Sequence, residues 1–238
     1  MMISRMIKAS SILVVLLMSL VCFPTIAASE ITKTSYDGVE AAPAPPIWPT
    51  VFHAVLYQNR SNDLAIVDLY YEYPKGRNLN LIRSQHDYDK GSQGALWDVE
   101  FDNHTSFYYH PAKKTCMPMK FPVGILVPNW LENATFLGVE ETDKYKCNVW
   151  TKADGFITYW EEVTSRKPVK WIFGSGMEEH ILKWTVNETL PDEHWQTPSY
   201  CFKNSTSNTT TTSNIKLQQQ TVDELLTFTR FAKMSSSS

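Results

Sequence analysis

Three acidic residues alternate along one short segment and are the strongest candidates for chemistry in this chain. Asp98, Glu100 and Asp102 are each separated by a single residue, so on a β-strand they would share one face, with about 7 Å between neighbours. Two carboxyl groups at this spacing could transfer or hydrolyse glycosyl groups, and three could hold Ca²⁺. The alternation is also typical of the solvent-exposed face of a half-buried strand, which is the simpler interpretation.

The other reactive side chains lack the spacing of a known site. Glu161 and Glu162 are neighbours in the sequence and would point to opposite faces of a strand. Cys147 lies within an apolar strand pattern, which is typical of a buried structural thiol. The histidines form no zinc-binding motif. We therefore assign no catalytic residue, no metal and no cofactor, and the sequence favours a protein that is not an enzyme.

The segments that must position these residues predict a β-rich fold. From Val51 to Val186, short runs of aromatic and β-branched residues alternate with turn-forming residues, a pattern typical of consecutive antiparallel strands. No long amphipathic helix is available to cover such a sheet, so we expect a mostly β fold, a curved antiparallel meander that forms a half-barrel. Strand parity assigns six apolar residues to its inner, ligand-binding face: Val67, Leu69, Tyr71, Trp97, Val99 and Phe101.

The ends of the chain differ from this central region. Arg5 and Lys8 precede an apolar run that is too short to span a bilayer and is followed by small residues, which is the pattern of a secretory signal peptide. We divide the chain into residues 1–28 (signal peptide), 29–49 (proline-rich lead-in outside the core), 50–202 (β-rich domain) and 203–238 (Ser/Thr/Asn-rich linker, a short helix after Thr221 and a disordered tail).

Composition indicates a glycoprotein of the secretory pathway. The net charge of −3 argues against nucleic acid as a partner, because no excess of basic residues is available for phosphate groups. No later segment is apolar enough to span a membrane, so the expected location is extracellular or a vacuolar or lysosomal lumen.

Three cysteines remain after the signal peptide, so one thiol is free or joins a second chain in a homodimer. Six sequons predict N-glycosylation at Asn59, Asn103, Asn133, Asn187, Asn204 and Asn208.

Short segments spread over residues 48–202 carry a resemblance to a known family, among them Val67-Asp-Leu-Tyr-Tyr71, Pro128-Asn-Trp-Leu131, Cys147-Asn-Val-Trp150, Pro168-Val-Lys-Trp-Ile-Phe173 and Pro198-Ser-Tyr-Cys-Phe202. Together they resemble an uncharacterised family of plant secretory proteins. Some members of that family carry a provisional label as glycosyl-group transferases, which implies enzymatic activity without naming a catalytic residue.

A second, more distant resemblance rests on the order of Lys113-Lys-Thr-Cys116, Asn133-Ala-Thr-Phe136, Val149-Trp150 and the segment from Trp195 to Cys201. These landmarks resemble those of ependymin-related proteins. Those proteins are secreted or lysosomal glycoproteins with a fold like that of bacterial lipoprotein carriers, and they bind amphiphiles. The resemblance implies a disulfide between Cys116 and Cys201, which would leave Cys147 reduced.

Three functions remain open at this level. The first is a non-catalytic protein that binds a lipid or another amphiphile in a half-barrel pocket. The second is a carbohydrate-active enzyme that uses Asp98, Glu100 and Asp102, and the third is an extracellular interaction module. The lining of the cavity distinguishes the first two, because an enzyme needs at least two titratable groups that converge there.

Overall fold

The computed structural model describes residues 42–85 and 94–202, and these form eleven antiparallel β-strands. The predicted signal peptide, most of the lead-in, the C-terminal linker and the short helix after Thr221 lie outside the described residues. The strands are β1 (Val51–Arg60), β2 (Asp63–Glu72), β3 (Arg77–Ser84), β4 (Leu96–Phe101), β5 (Thr105–His110), β6 (Thr115–Lys120), β7 (Thr135–Thr142), β8 (Tyr145–Lys152), β9 (Ile157–Glu162), β10 (Pro168–Phe173) and β11 (Glu178–Val186). The prediction of a mostly β fold is confirmed.

The strands form one open sheet in the order β6-β5-β4-β3-β2-β1-β11-β10-β9-β8-β7. The first six strands make one meander and the last five make another, and the two meanders are joined by the pairing of β1 with β11. At this junction Gln58 lies opposite Glu179, and on the other side of β1 it lies opposite Ala65 of β2. The centre of the sheet is therefore formed by its first and last strands in the sequence, β1 and β11.

The sheet is strongly curved. Tyr108 on β5 and Ile157 on β9 line the same cavity, although their strands are seven positions apart in the sheet. On a flat sheet the two strands would lie about 34 Å apart, because neighbouring strands are separated by roughly 4.8 Å. Curvature brings them together, and we call the face that they share the inner face.

Part of the inner face is filled by aromatic side chains, and one of them comes from the lead-in. Trp48 is buried and packs edge-on against Phe52, Tyr71 and Trp130. Its indole Nε1–H donates a hydrogen bond of 3.0 Å to the hydroxyl of Tyr159. The expectation that the lead-in stays outside the core is therefore corrected at this residue, because Trp48 is part of the buried hydrophobic cluster.

The outer face of β3–β6 is covered by residues 187–202. Trp195 and Cys201 pack there in a cluster with Leu79, Val99 and Tyr109. The disulfide between Cys116 and Cys201, with 5.1 Å between the Cα atoms, fastens this segment to β6, as the second resemblance implied. Cys147 is a free, buried cysteine.

The packing of residues 187–202 on the outer face explains why β4 does not contribute its predicted residues to the inner face. Trp97, Val99 and Phe101 belong to the outer-face cluster, whereas Asp98 and Glu100 line the cavity. The alternation along β4 is as predicted, but the direction of its two faces is the reverse. The apolar side chains of β4 avoid water by packing under the C-terminal segment, so the acidic side chains are left to face inward.

Candidate functional site

The inner face encloses a cavity of about 440 Å³. Its apolar wall includes Val67, Leu69 and Tyr71 on β2, the three residues that strand parity places on one face. Other apolar contributors come from distant parts of the chain and could not be assigned to the cavity from local patterns: Ile82, Leu96, Leu126, Trp130, Ile157, Trp171, Phe173 and Met177. The cavity therefore depends on the curvature of the sheet and on the segment between β6 and β7.

Polar side chains of β3 and β4 form a second wall. Asn80 lies opposite Asp98, and Asn78 lies opposite Glu100. Asn80 Nδ2 donates to Asp98 Oδ2 at 3.2 Å, and Asn78 Nδ2 donates to Glu100 Oε2 at 3.4 Å. Tyr108 on β5 pairs with Asp98 from the other side. We call Asp98 and Glu100 the acid pair, and each of its members is oriented by an amide on the neighbouring strand.

Asp102, the third acidic residue of the predicted set, does not join the acid pair. It follows the end of β4 and is exposed. It lies in a separate hollow beside Gly76 and Gly124. The structure therefore brings together two of the three carboxyl groups, and within the described residues no group of three His, Cys, Asp and Glu side chains is arranged to hold a metal ion.

Burial is the main cause of the raised pKa of both members of the acid pair. Asp98 is only 5% exposed, and burial raises its pKa well above the ordinary aspartate value, with the nearby charge of Glu100 as the next cause. Burial also raises the pKa of Glu100. The pKa of the Tyr108 hydroxyl is raised by burial and then by the charges of the acid pair. In all three groups the neutral form is therefore more favourable than it would be in water.

One oxygen of the acid pair remains without a partner. Asp98 Oδ1 is buried and accepts no hydrogen bond from the described residues, while Oδ2 of the same carboxyl is held by Asn80. Buried carboxyl oxygens are rarely left in this state, because the lost hydration is not replaced. This oxygen belongs to a side chain that lines the cavity, and it is shielded from solvent in the ligand-free protein.

A third carboxyl group in the cavity, that of Glu179, has hydrogen-bond donors at both of its oxygens. Glu179 on β11 accepts a hydrogen bond of 2.6 Å from Gln58 Nε2 and another from Trp171 Nε1. The positive charge of Arg60 also favours its ionised form, although burial has the larger effect and raises its pKa. The sequence analysis missed Glu179, because β11 begins with two adjacent acidic residues, Glu178 and Glu179, and no local pattern showed which of them faces inward.

The predicted glycosylation sites in the described residues lie at or near turns. Asn103, Asn133 and Asn187 are exposed and Asn59 is partly exposed, while Asn204 and Asn208 lie outside the described residues. Within residues 42–85 and 94–202, no helix has the length and apolar character needed to cross a membrane.

Comparison with solved structures gives distant matches. An uncharacterized conserved protein from Thermus thermophilus is 10% identical with a TM-score of 0.45, and the match covers 63% of this chain and 87% of that one. MucB is 10% identical with a TM-score of 0.38 over 64% of this chain and 58% of its own. A DUF1329 family protein from Desulfovibrio piger is 10% identical with a TM-score of 0.35 over 62% of this chain and 90% of its own.

Comparison with sequences defines the family. No curated protein matches the chain significantly, so the resemblances to the plant secretory family and to ependymin-related proteins stay predictions. A family model described as a domain of unknown function, DUF8395, matches residues 47–201, which is nearly the whole of the predicted β-rich domain and includes both walls of the cavity. This chain therefore belongs to the DUF8395 family.

Proposed function

We propose that this protein binds one amphiphilic molecule in the cavity on the inner face of the sheet. The observation that carries the proposal is the pairing of an apolar wall, with Val67 and Leu69, and a polar wall, with Asp98 and Glu100, around one space of about 440 Å³. Ligand pockets are commonly mostly apolar, with a few convergent polar groups that fix the orientation of the ligand. An amphiphile presents these two kinds of surface in one molecule.

The apolar wall supplies the nonspecific part of the binding free energy. Each methylene group removed from water contributes about 0.8 kcal/mol, so roughly ten buried methylenes contribute about 8 kcal/mol before the cost of association. The polar wall then adds orientation and selectivity to this nonspecific contribution. The volume lies toward the lower end of the range of roughly 300–1,000 Å³ for ligand pockets, which favours a ligand with one chain over one with several.

We further propose that the protein acts outside the cytosol as an N-glycosylated protein. The disulfide between Cys116 and Cys201 supports an oxidising compartment, and the exposure of Asn103, Asn133 and Asn187 supports access for glycosylation. Treatment of the protein from its native host with an N-glycosidase should increase its gel mobility. Unchanged mobility would contradict this part of the proposal.

Filling the cavity tests the binding proposal. Ala65 is buried on β2, lines the cavity and lies between Gln58 and Ser84, so Ala65→Phe would place a ring inside the space. We expect a solvatochromic long-chain probe to bind the unchanged protein with a saturable blue shift and to lose this shift with Ala65→Phe. Leu182→Phe is a matched control, because Leu182 is 59% exposed and lies outside the cavity.

The unchanged protein and both variants should melt cooperatively, which shows that each is folded. Equal, saturable probe binding by Ala65→Phe and the unchanged protein would place the ligand elsewhere on the molecule. The absence of saturable binding by the unchanged protein, with any class of amphiphile, would remove the proposal.

A carbohydrate-active enzyme is the second candidate, because the acid pair supplies two converging titratable groups. The two carboxyl groups lie within hydrogen-bonding reach of each other, however, whereas glycosidases hold their carboxyl groups about 5 Å or more apart so that the scissile bond fits between them. This closeness favours binding over glycosyl transfer. Turnover of an aryl glycoside by the unchanged protein, abolished by Glu100→Gln and retained by Asp102→Asn, would reverse the preference.

A further inference from the structure

The charged side chains that line the cavity are predominantly acidic. Among the described residues they comprise the carboxyl groups of Asp63, Asp98, Glu100 and Glu179 and the guanidinium group of Arg60, together with the imidazole of His110. A low-dielectric cavity with this composition favours positive charge and disfavours negative charge. The identity of the polar end of the ligand therefore depends on which of these carboxyl groups already have partners.

Glu179 and Arg60 belong to the same part of the wall. Gln58 and Trp171 donate hydrogen bonds to the Glu179 carboxyl, and Arg60 contributes a nearby positive charge. Arg60 Nη2 also donates to the sulfur of Met177 at 2.9 Å. These side chains pair with one another, so Glu179 presents little uncompensated negative charge to a ligand.

The acid pair differs because its closest neighbours carry no positive charge. Asp98 faces Glu100, the Asn80 amide and the Tyr108 hydroxyl, and Glu100 faces Asp98 and the Asn78 amide. Asp98 Oδ1 accepts no hydrogen bond from the described residues although the side chain is more than nine-tenths buried. A buried carboxylate in these surroundings needs either a proton or a cation.

We propose that the ligand is a single-chain amphiphile with a cationic ammonium head, and that the acid pair binds this head. One N–H of the ammonium group donates to the Glu100 carboxyl, which is partly exposed. Binding turns the Asp98 carboxyl so that Oδ1 accepts a second N–H, and Asn78 and Asn80 donate to the two carboxyl groups. The alkyl chain lies along the apolar wall that includes Val67. This assignment rests on the proposed binding function and adds the chemical class of the ligand.

The structure distinguishes this head group from two simpler ones. A fatty carboxylate would bring a further negative charge next to the acid pair, which is unfavourable in a buried site. A fatty alcohol could donate one hydrogen bond to Asp98 Oδ1 but could not compensate the charge of the pair. The expected order of affinity is therefore amine, then alcohol, then carboxylate for chains of equal length.

The test uses the full chain and three probes with the same alkyl chain: dodecylamine, dodecanol and dodecanoic acid. Each is titrated below its aggregation concentration against protein that holds a solvatochromic probe, and displacement is measured at neutral pH. Asp98→Asn keeps the shape of the side chain and removes its charge, so it should weaken dodecylamine binding by about ten- to a hundredfold, as expected for the loss of a charge-assisted hydrogen bond. Binding of dodecanol should change far less.

Asp102→Asn is the matched control, because it removes the same charge from an exposed residue outside the cavity. It should leave the affinities for all three probes unchanged. Glu100→Gln provides a second variant if Asp98→Asn does not fold, and it should weaken dodecylamine binding in the same direction. Ala65→Phe separates cavity binding from adsorption of the amine to acidic surface residues.

The outcomes separate the two proposals. Equal affinity for all three probes, unaffected by Asp98→Asn and Glu100→Gln, would overturn the ammonium assignment and leave the binding function intact. Tighter binding of dodecanoic acid than dodecylamine would do the same. Binding of the amine that persists in Ala65→Phe would identify surface adsorption and overturn the assignment. Displacement by none of the three, together with no saturable binding of the solvatochromic probe, would overturn both proposals.

Discussion

Removal of the charge of Asp98 should stabilise the ligand-free protein at neutral pH. Burial raises the pKa of this carboxyl above its ordinary value, with the charge of Glu100 as the next cause. An acid whose pKa is higher in the folded state binds its proton more tightly there than in the unfolded state. Its contribution to stability is therefore complete below the ordinary carboxyl pKa of about 4 and is lost as the pH rises through the folded-state value.

The expected magnitude follows from the surroundings of Asp98. Its Oδ1 is buried without a hydrogen-bond partner, and a polar group in this state costs about 1–3 kcal/mol in protein mutational data. In Asp98→Asn the new amide nitrogen can donate to Glu100, and the new amide oxygen can still accept from Asn80. A gain of about 2 kcal/mol would raise the melting temperature of a chain of this size by about 4–8 °C.

Thermal unfolding followed by circular dichroism at pH 7 and pH 5 measures this effect. Asp98→Asn should melt above the unchanged protein at pH 7, and the difference should shrink at pH 5 because both members of the acid pair are then closer to full protonation. Asp102→Asn should change the free energy of unfolding by less than about 0.5 kcal/mol at either pH, as exposed substitutions usually do. A lower melting temperature for Asp98→Asn at pH 7, or an equal gain at both pH values, would refute the reasoning.

Two further predictions concern the framework of the cavity. In Gly124→Ala a Cβ atom would lie 2.6 Å from the backbone oxygen of Asp102, which cannot move as a side chain can, so the free energy of unfolding should fall by about 1–3 kcal/mol in urea titrations; an unchanged midpoint would contradict this packing. The double variant Cys116→Ala with Cys201→Ala removes a cross-link between residues 85 positions apart, and it should lose about 4.5 kcal/mol in the chain-entropy model. A stability equal to that of the oxidised protein would show that the outer-face cluster holds the C-terminal segment without the disulfide.

The sequence predicted much of the fold because its strands carry clear local patterns. Val67, Leu69 and Tyr71 alternate with more polar residues on β2, and the structure places all three along the cavity. Aromatic and β-branched runs separated by turn residues likewise identified the meander. These features depend only on the geometry of neighbouring residues in an extended chain.

The orientation of β4 could not be predicted in the same way. Alternation shows which side chains share a face, but it does not show which face is covered by another part of the chain. Residues 187–202 cover the outer face, far along the sequence from Trp97 and Val99, so those apolar side chains are buried outward. Trp48 was missed for a related reason, since its burial depends on contacts with distant Tyr71 and Trp130.

The reversed orientation of β4 links the fold to the proposed ligand. If the acid pair served only the stability of the folded protein, its replacement by neutral amides should lower the melting temperature, because a useful contact would be lost. We instead expect Asp98→Asn to raise the melting temperature and to weaken ammonium binding, two effects of opposite sign from one substitution. That combination is typical of a binding site whose polar groups are held unsatisfied until the ligand arrives, and it distinguishes a functional acid pair from a structural one.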